Sequence, residues 1–511
     1  MGLWGFYFFG KLFLFFKGYI KFDVIYNIAF AIFLTLQPSR DNRYRNHIEL
    51  AKSAVALLLA VALLWHDTWF PSPVDAVNDV LTQGMPTKEY VYSFLMRYYD
   101  QKTMLALGMI LAACWMANKY LKMSTMVMMA LVAVVPLKMV NEPDAKEISQ
   151  AVDSFFDMEQ TRMIHFKKPG AVGPGFDIVI LHVCSLSWDD LKAVEMENDP
   201  FWRQFHYMFA NFNTATTYSG PSVIRLLRGT CGQQRHESLY KNQPNECYLF
   251  RSLEYAGFST YVTMNHDGKY GSFASQISQN GLADSPPMPV ENLPLYLKMF
   301  DDSPIYDDSA TLEKWWENRM ASKREAVALY YNTVSLHDGT HKSNDKEWWK
   351  RDRKYQYKEY LTKMFDDVTK FFKTVAASGR NVVVVFAPEH GMALRGSVMQ
   401  ASGLRDIPLP KLTNTPVGVK FIGPAFNGVK VNQKIIYKPT SYIALSFMLS
   451  KFAEKSPFLY ETYSGAVFLD SIPQTDFVAE NESSLIAKVG SKHFYFGKEG
   501  KWMELTENEL K

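Results

Sequence analysis

The chain of 511 residues is poor in cysteine, with four in all. Four cannot build a disulfide scaffold, nor a four-thiolate zinc finger with spares, so any cysteine chemistry is local. An excess of charge is also lacking, since 55 Lys and Arg stand against 52 Asp and Glu for a net +3. There is no basic field to hold a nucleic-acid backbone and no acidic tail. Internal repeats and low-complexity tracts are absent, and a chain this long holds more than one domain.

The averages conceal a division. Residues 1–140 carry 13 Lys and Arg against 8 Asp and Glu, leaving 42 against 44 for residues 141–511. The first part consists of neutral apolar runs with short charged punctuation: 1–10 extending through Lys11 and Lys17, then 24–39, 53–66, 103–118 and 123–137. None reaches 18 uncharged residues, and one such run alone would fit a buried core helix. Five in succession, rich in Phe, Leu, Met and Trp, leave no polar faces for a soluble bundle. Residues 1–140 are therefore expected to form a membrane domain of about five transmembrane helices, with Lys11, Lys17, Lys52, Lys119 and Lys138 snorkelling to the headgroups. Arg40, Arg43 and Arg45 fill one short connection and Lys119 and Lys122 another, while the connection 67–101 is mostly acidic. The positive-inside rule puts the basic loops in the cytoplasm and everything after Val140 outside. The first run lacks the basic start and A-x-A site of a cleaved signal, so the anchor is expected to persist.

Residues 141–175 read as a short helix and a linker, ending in Lys167-Lys168-Pro169-Gly170 and Gly173-Pro174-Gly175. From Phe176, short β-branched runs at 178–183, 258–262, 326–334, 382–386 and 417–421 alternate with helical patterns at 189–195, 355–375 and 441–452. This pattern predicts an α/β domain over 176–511, mostly parallel sheet with helices on both faces. Runs at 485–489, 493–496 and 502–505 predict a small antiparallel extension.

In such sheets chemistry collects beyond the carboxyl ends of the strands. One strand runs into Cys184-Ser185-Leu186-Ser187, another into Leu336-His337-Asp338-Gly339-Thr340-His341, and a third into Pro388-Glu389-His390-Gly391. A cysteine so placed is ordinarily a small buried hydrophobe, and an adjacent Glu-His pair is ordinarily surface polarity. Together they offer thiol, imidazole and carboxylate to one crevice, a set suited to Zn²⁺. The segment Thr217-Tyr218-Ser219-Gly220-Pro221 precedes Val223, Leu226 and Leu227 at helical spacing, with Gly229 as the stop. Ser219 reads as a helix N-cap, which is its plain role. It is also a candidate nucleophile, because a metal within reach lowers a hydroxyl pKa and a helix N-terminus holds a phosphate.

The strings Val183-Cys184-Ser185-Leu186-Ser187-Trp188, Tyr218-Ser219-Gly220-Pro221, Leu336-His337-Asp338-Gly339, Pro388-Glu389-His390-Gly391 and Gly403-Leu404-Arg405-Asp406-Ile407-Pro408, with Trp65-His66-Asp67-Thr68-Trp69 before them, carry a resemblance. They resemble the cellulose phosphoethanolamine transferases of bacterial cellulose-synthesis operons over nearly the whole chain. That resemblance implies an alkaline-phosphatase-like, zinc-dependent periplasmic domain on a multi-pass inner-membrane anchor. It implies transfer of phosphoethanolamine from phosphatidylethanolamine to glucose 6-hydroxyls of cellulose, beside a cellulose synthase complex. Carried over by motif, Cys184, Glu389 and His390 hold Zn²⁺ with Ser219 completing the site, and His337, Tyr218 and Arg405 line the pocket. His341 has the weaker claim, as a substrate-binding residue. The more distant lipid A phosphoethanolamine transferases have an acid where Cys184 stands, a Thr where Ser219 stands, and a further histidine after the Asp-His pair. Here only His493 follows His390, which speaks against a second tightly bound zinc and gives Arg405 part of its work.

Cys231 and Cys247 enclose fifteen residues, and on the oxidising side of a membrane they are expected to pair. Cys114 falls within an apolar run and is expected to be inert. Trp315, Trp316, Trp348 and Trp349 read as helical packing or as sugar contacts. The pairs Asp301-Asp302 and Asp307-Asp308 read as turn and helix-start residues. Two other functions stay open from the residues alone: a metal-dependent phosphodiesterase or sulfatase, in which water finishes the reaction, and a non-catalytic scaffold for an exopolysaccharide synthase.

Overall fold

The computed structural model describes residues 4–36, 44–69, 73, 77, 85–97, 100–139, 144–168, 175–459, 463 and 466–510. Its N-terminal part holds helices Trp4–Phe16, Val24–Thr35, Arg45–Asp67, Gln101–Ala117 and Met123–Met139. Among the described residues one helix, Asn46–Asp67, is long and apolar enough to cross a membrane, and the other four are shorter apolar helices. Leu57, Leu58, Val61, Leu105, Met109 and Trp115 all point outward, where a helix of a water-soluble bundle would present polar residues. Arg40 and Arg43, on which the expected orientation partly rests, lie outside the described residues.

Lys11 does not snorkel. Its ammonium is buried 2.6 Å from the buried Asp67 carboxylate, and Asn27 joins the two, accepting from Lys11 at 2.9 Å and donating to Asp67 at 2.8 Å. A carboxylate enclosed between apolar helices needs a cation and donors there, and that outweighs the pull of the headgroups on the lysine.

In the C-terminal part the strands are β1 (Asp177–Val183), β2 (Tyr207–Asn213), β3 (Ser259–Met264), β4 (Leu295–Lys298), β5 (Pro304–Tyr306), β6 (Val327–Thr333), β7 (Val382–Pro388), β8 (Asn414–Ile422) and β9 (Lys434–Ile436). β4 and β5 pair with each other, and the rest form one sheet in the order β3-β6-β1-β7-β8-β2-β9. Only β8 runs against the others: its pairings with β7 and β2 are antiparallel, while the remaining ladders are parallel. The central strands β1, DIVILHV, and β7, VVVVFAP, are buried at every position, as nearly continuous apolar strands must be. Their side chains alternate between two cores. Ile178, Ile180, Val383 and Val385 face one with helix Tyr442–Glu454; Val179, Leu181, Val382 and Val384 face the other with helix Arg353–Ala377. The mostly parallel sheet with helices on both faces is thus present.

Strands β2, β4, β5 and β9 have no counterpart in the sequence reading: β2 mixes aromatics with asparagine and contains no β-branched residue, and the other three are short, Leu295–Lys298, Pro304–Tyr306 and Lys434–Ile436. A second sheet, β10 (Val478–Asn481), β11 (Ser484–Val489), β12 (Lys492–Phe496) and β13 (Trp502–Leu505), is the antiparallel extension with one extra strand. The helix expected in the linker is Ala145–Gln160, capped by Asp144. It packs Val152, Phe155 and Phe156 against Val478 and Ala487 of the second sheet. The end of the linker, residues 169–174, lies outside the described residues.

Candidate metal centre and active site

Parallel strands deliver their carboxyl ends to one edge, and three of the expected residues meet there. Cys184 follows β1 and donates its backbone N–H to Thr333 O, while Glu389 follows β7 and donates to Val183 O, so register locks both to the sheet. The turn after Cys184 passes through Ser185 in the left-handed region, φ 64°, a conformation rare outside glycine. Gly391 follows His390, and a Cβ there would stand 2.6 Å from Ser187 Oγ, so only glycine allows that close approach.

One ligand-capable atom from each of Cys184, Glu389 and His390 lies within 4.8 Å of the others, and all three residues are fully buried. Ser219 completes the group. Its Oγ is 3.5 Å from Cys184 Sγ and 3.3 Å from His390 Nε2. Ser219 is not an N-cap, since Tyr218 holds that position and Ser219 opens helix Ser219–Leu227 with no side-chain cap bond. The hydroxyl is turned to the crevice instead of to the helix backbone.

The donor set fits a soft divalent cation. Glu389 Oε1 accepts from Asn332 Nδ2 at 2.5 Å, whereas Oε2 is buried with no hydrogen-bond partner. His390 donates Nδ1–H to Gly391 O at 2.9 Å, which leaves Nε2 with a lone pair facing Cys184 and Ser219. Without a cation the negative charges are suppressed: burial and the neighbouring Glu389 push the Cys184 thiol up to about 12, and burial raises Glu389 to about 7. Burial and Arg405 hold His390 well below its ordinary value, so it is neutral. Thiol, carboxyl and imidazole gathered in this way are the ligand types of a zinc site.

Arg405 is half-buried beside the group, with Nη1 3.4 Å from Ser185 Oγ and 3.5 Å from His390 Nε2. Tyr218 donates to Asp406 at 2.7 Å, and its ring lies 5.9 Å from the Arg405 guanidinium. His337 follows β6, bonds Asp338 O through Nδ1 at 2.9 Å and stacks on Phe300. Burial, with Arg405 nearby, lowers it to about 4. His341 goes elsewhere: it stacks on Trp348, with ring centroids 4.5 Å apart, and its Nε2 is 3.5 Å from Asp302. Trp315 and Trp316 are core residues, which removes them as sugar contacts, and Trp348 is buried too. Asp307 caps helix Asp308–Ala321 and Asp302 sits in a turn at φ 67°, as expected. Cys231 and Cys247 are disulfide-bonded, Cys114 is a buried free thiol, and His493 lies on β12 edge-on to Phe477.

Sequence reasoning missed the supports. Asn332 orients Glu389 and donates also to His182 O at 3.0 Å. Ser222, one turn past Ser219, donates to Glu389 O at 3.0 Å and shares a hydrogen bond of 2.8 Å with Tyr442, fixing the helix to the end of β7. Asp190 accepts from Ser187 Oγ, Met392 N and Leu394 N, which holds the loop after His390. A polar residue inside an apolar strand, as at Asn332, is the signal that could have marked one of them.

Residues 133–502 match the family described as Cellulose biosynthesis protein BcsG C-terminal domain, and residues 4–136 match the BcsG N-terminal domain. The Cellulose biosynthesis protein BcsG of Escherichia coli (strain K12) is 31% identical over 551 aligned positions, covering 98% of this chain and 95% of that protein. The chain belongs to the BcsG family. Two solved structures overlay more loosely. One, titled as a protein in the alkaline phosphatase superfamily from Vibrio parahaemolyticus, has a TM-score of 0.47 at 12% identity and covers 71% of this chain and 91% of its own. The other is the integral membrane lipooligosaccharide phosphoethanolamine transferase A from Neisseria meningitidis, with a TM-score of 0.40 at 11% identity, covering 87% and 95%.

Proposed function

We propose that the chain is a zinc-dependent phosphoethanolamine transferase of the alkaline phosphatase superfamily. Residues 1–140 anchor it in the bacterial inner membrane by several passes, and residues 176–511 form the periplasmic catalytic domain. It takes phosphoethanolamine from phosphatidylethanolamine through a covalent Ser219 intermediate and passes it to glucose 6-hydroxyls of cellulose. The observation that carries this reading is Ser219 Oγ turned out of its capping role and into the Cys184, Glu389 and His390 cluster. Membership of a cellulose biosynthesis family supports the glycan acceptor and a nearby synthase.

Cys184, Glu389 and His390 would hold the Zn²⁺, with Ser219 as the fourth donor. When bound, such an ion polarises a phosphoryl oxygen and lowers the pKa of a hydroxyl beside it. Ser219 Oγ attacks the lipid phosphorus; the Oγ–P bond forms and the P–O bond to diacylglycerol breaks. The proton from Ser219 ends on the diacylglycerol oxygen, with His337 as its carrier. Arg405 binds non-bridging phosphoryl oxygens as a planar fork. In the second half the acceptor hydroxyl attacks phosphorus, its proton passes by way of His337 to Ser219 Oγ, and the Oγ–P bond breaks to restore the free serine. His337 suits the base role here, because burial keeps it neutral and its Nδ1–H is occupied by Asp338 O, which leaves Nε2 as proton acceptor.

Incubating the purified full chain with phosphatidylethanolamine and a cello-oligosaccharide tests the reading. Sugar carrying phosphoethanolamine is expected. Release of phosphoethanolamine at a rate indifferent to the sugar, with no modified sugar, would favour a phosphodiesterase; metal-free, inactive wild-type protein would favour a scaffold.

A further inference from the structure

Ser219 and Arg405 must meet at one phosphoryl group, yet no shared element of secondary structure joins them. Ser219 opens a helix, whereas Arg405 lies in the stretch 389–409, which forms neither helix nor strand. A guanidinium fork serves a reaction only if the backbone beneath it is fixed, since a displacement of about 1 Å can cost about 100-fold in rate.

The fixing group comes from the second sheet. Asn481, the last residue of β10, is buried and bonds to both segments. Its Oδ1 accepts from Thr216 Oγ1 at 2.9 Å and from Thr217 N at 3.2 Å. Its Nδ2 is 2.7 Å from Thr217 Oγ1, 3.0 Å from Arg405 O and 2.9 Å from Asp406 O. Thr217 Oγ1 in turn donates to Arg405 O, across 188 positions of chain. Ser484, opposite Asn481 in the hairpin, donates through Oγ to Asp406 O. β10 is also laid along the approach to the nucleophile: Glu480 N donates to Ala215 O at 2.9 Å, and Asn213 Nδ2 to Val478 O at 3.0 Å.

These partners call for an amide. Thr217 N–H can only donate, and the carbonyls of Arg405 and Asp406 can only accept, so one end of the side chain must accept and the other must carry protons. An aspartate would turn a second oxygen toward two carbonyls, and an apolar residue would leave every partner unpaired.

We infer that Asn481 is a positioning residue of the transfer reaction, holding the Ser219 segment and the Arg405 fork at one separation and angle. Through it the antiparallel second sheet takes part in building the active site. The inference rests on the transferase reading for what Ser219 and Arg405 do. Asn481 gives no group to the phosphorus; it acts through the backbone at Thr217, Arg405 and Asp406.

The test is a double-mutant cycle on the full chain in lipid nanodiscs, read as the single-turnover rate of phosphoethanolamine adduct formation on Ser219 from phosphatidylethanolamine. Asn481→Ala should slow that rate about 30-fold in an otherwise wild-type chain. Beside Arg405→Lys, which has already lost the planar fork, the same change should cost only about threefold. Zinc content should be equal in all four proteins. Thr217→Val keeps the side-chain shape and removes only the shared hydroxyl, so it replaces Asn481→Ala in the cycle if that variant does not fold. It should slow the rate about fivefold, and less beside Arg405→Lys. An equal loss in both backgrounds, no loss in either, or a loss that follows zinc content would overturn the role of Asn481. The transferase reading fails separately, if wild-type protein forms no adduct on Ser219 at all.

Discussion

Cys184 Sγ and Ser219 Oγ stand 3.5 Å apart although 35 residues separate them in the chain. One comes from the end of the central strand β1 and the other from the first turn of a helix. A thiol and a hydroxyl at that distance, with His390 Nε2 3.3 Å from the same hydroxyl, are donor types that bind a divalent cation.

Ser219→Ala removes the nucleophile and one donor atom. It should lower transfer by about 10⁴-fold or more, the scale of losing a covalent nucleophile. The fold should persist, because Ser222 and not Ser219 ties the helix to Glu389. Activity assay together with circular dichroism checks both; retained activity would remove Ser219 from its role.

Cys184→Ala should lower zinc affinity about 100-fold or more, since three protein donors would remain from four. Zinc analysis after dialysis against a weak chelator reads this, and unchanged occupancy would make the thiol structural.

Zinc affinity should rise with pH. Metal-free Cys184 holds its proton up to about 12 and Glu389 up to about 7, whereas His390 is already neutral and releases none. Below pH 7 binding therefore expels about two protons, and above it about one, so affinity should climb about 100-fold per unit below pH 7 and about tenfold above. Chelator competition at pH 6, 7 and 8 measures the slope, and a flat profile would contradict the ligand assignment.

Asp338→Asn should loosen the join between helix Lys88–Met96 and the His337 loop. Asp338 is nearly buried, and Arg97 and Arg353 hold its carboxyl well below the usual range. Breaking one side of such a cluster costs about 3–5 kcal/mol. Limited proteolysis should show faster cleavage around residues 85–97, and transfer should fall although zinc content is kept.

Reducing the Cys231 and Cys247 disulfide frees a loop of fifteen residues and should cost about 3 kcal/mol by loop closure. Urea unfolding with and without reductant measures the difference.

Much of this arrangement was legible in the chain. Cys184 and the Glu389-His390 pair stood out because apolar runs ended at them, and the sheet brings such ends together. The helix after Ser219 was readable from Pro221 and the spacing of Val223, Leu226 and Leu227, but its cap was not. Metal-ligating atoms and a capping bond compete for the same hydroxyl, and local sequence cannot show which is chosen. Lys11 misled for a related reason, since its partner Asp67 is 56 positions away and only packing brings it near. Asn332, Ser222 and the Arg97 to Asp338 pair depend likewise on distant segments. Strand β2 escaped because Asn211 and Asn213 interrupt its apolar run, although its aromatics favour an extended chain.

The most direct test is mass spectrometry of wild-type protein quenched after brief exposure to phosphatidylethanolamine without acceptor. Phosphoethanolamine is expected on the peptide that contains Ser219, with its loss once cello-oligosaccharide is added. Transfer to the sugar with no adduct, or an adduct on another residue, would contradict it.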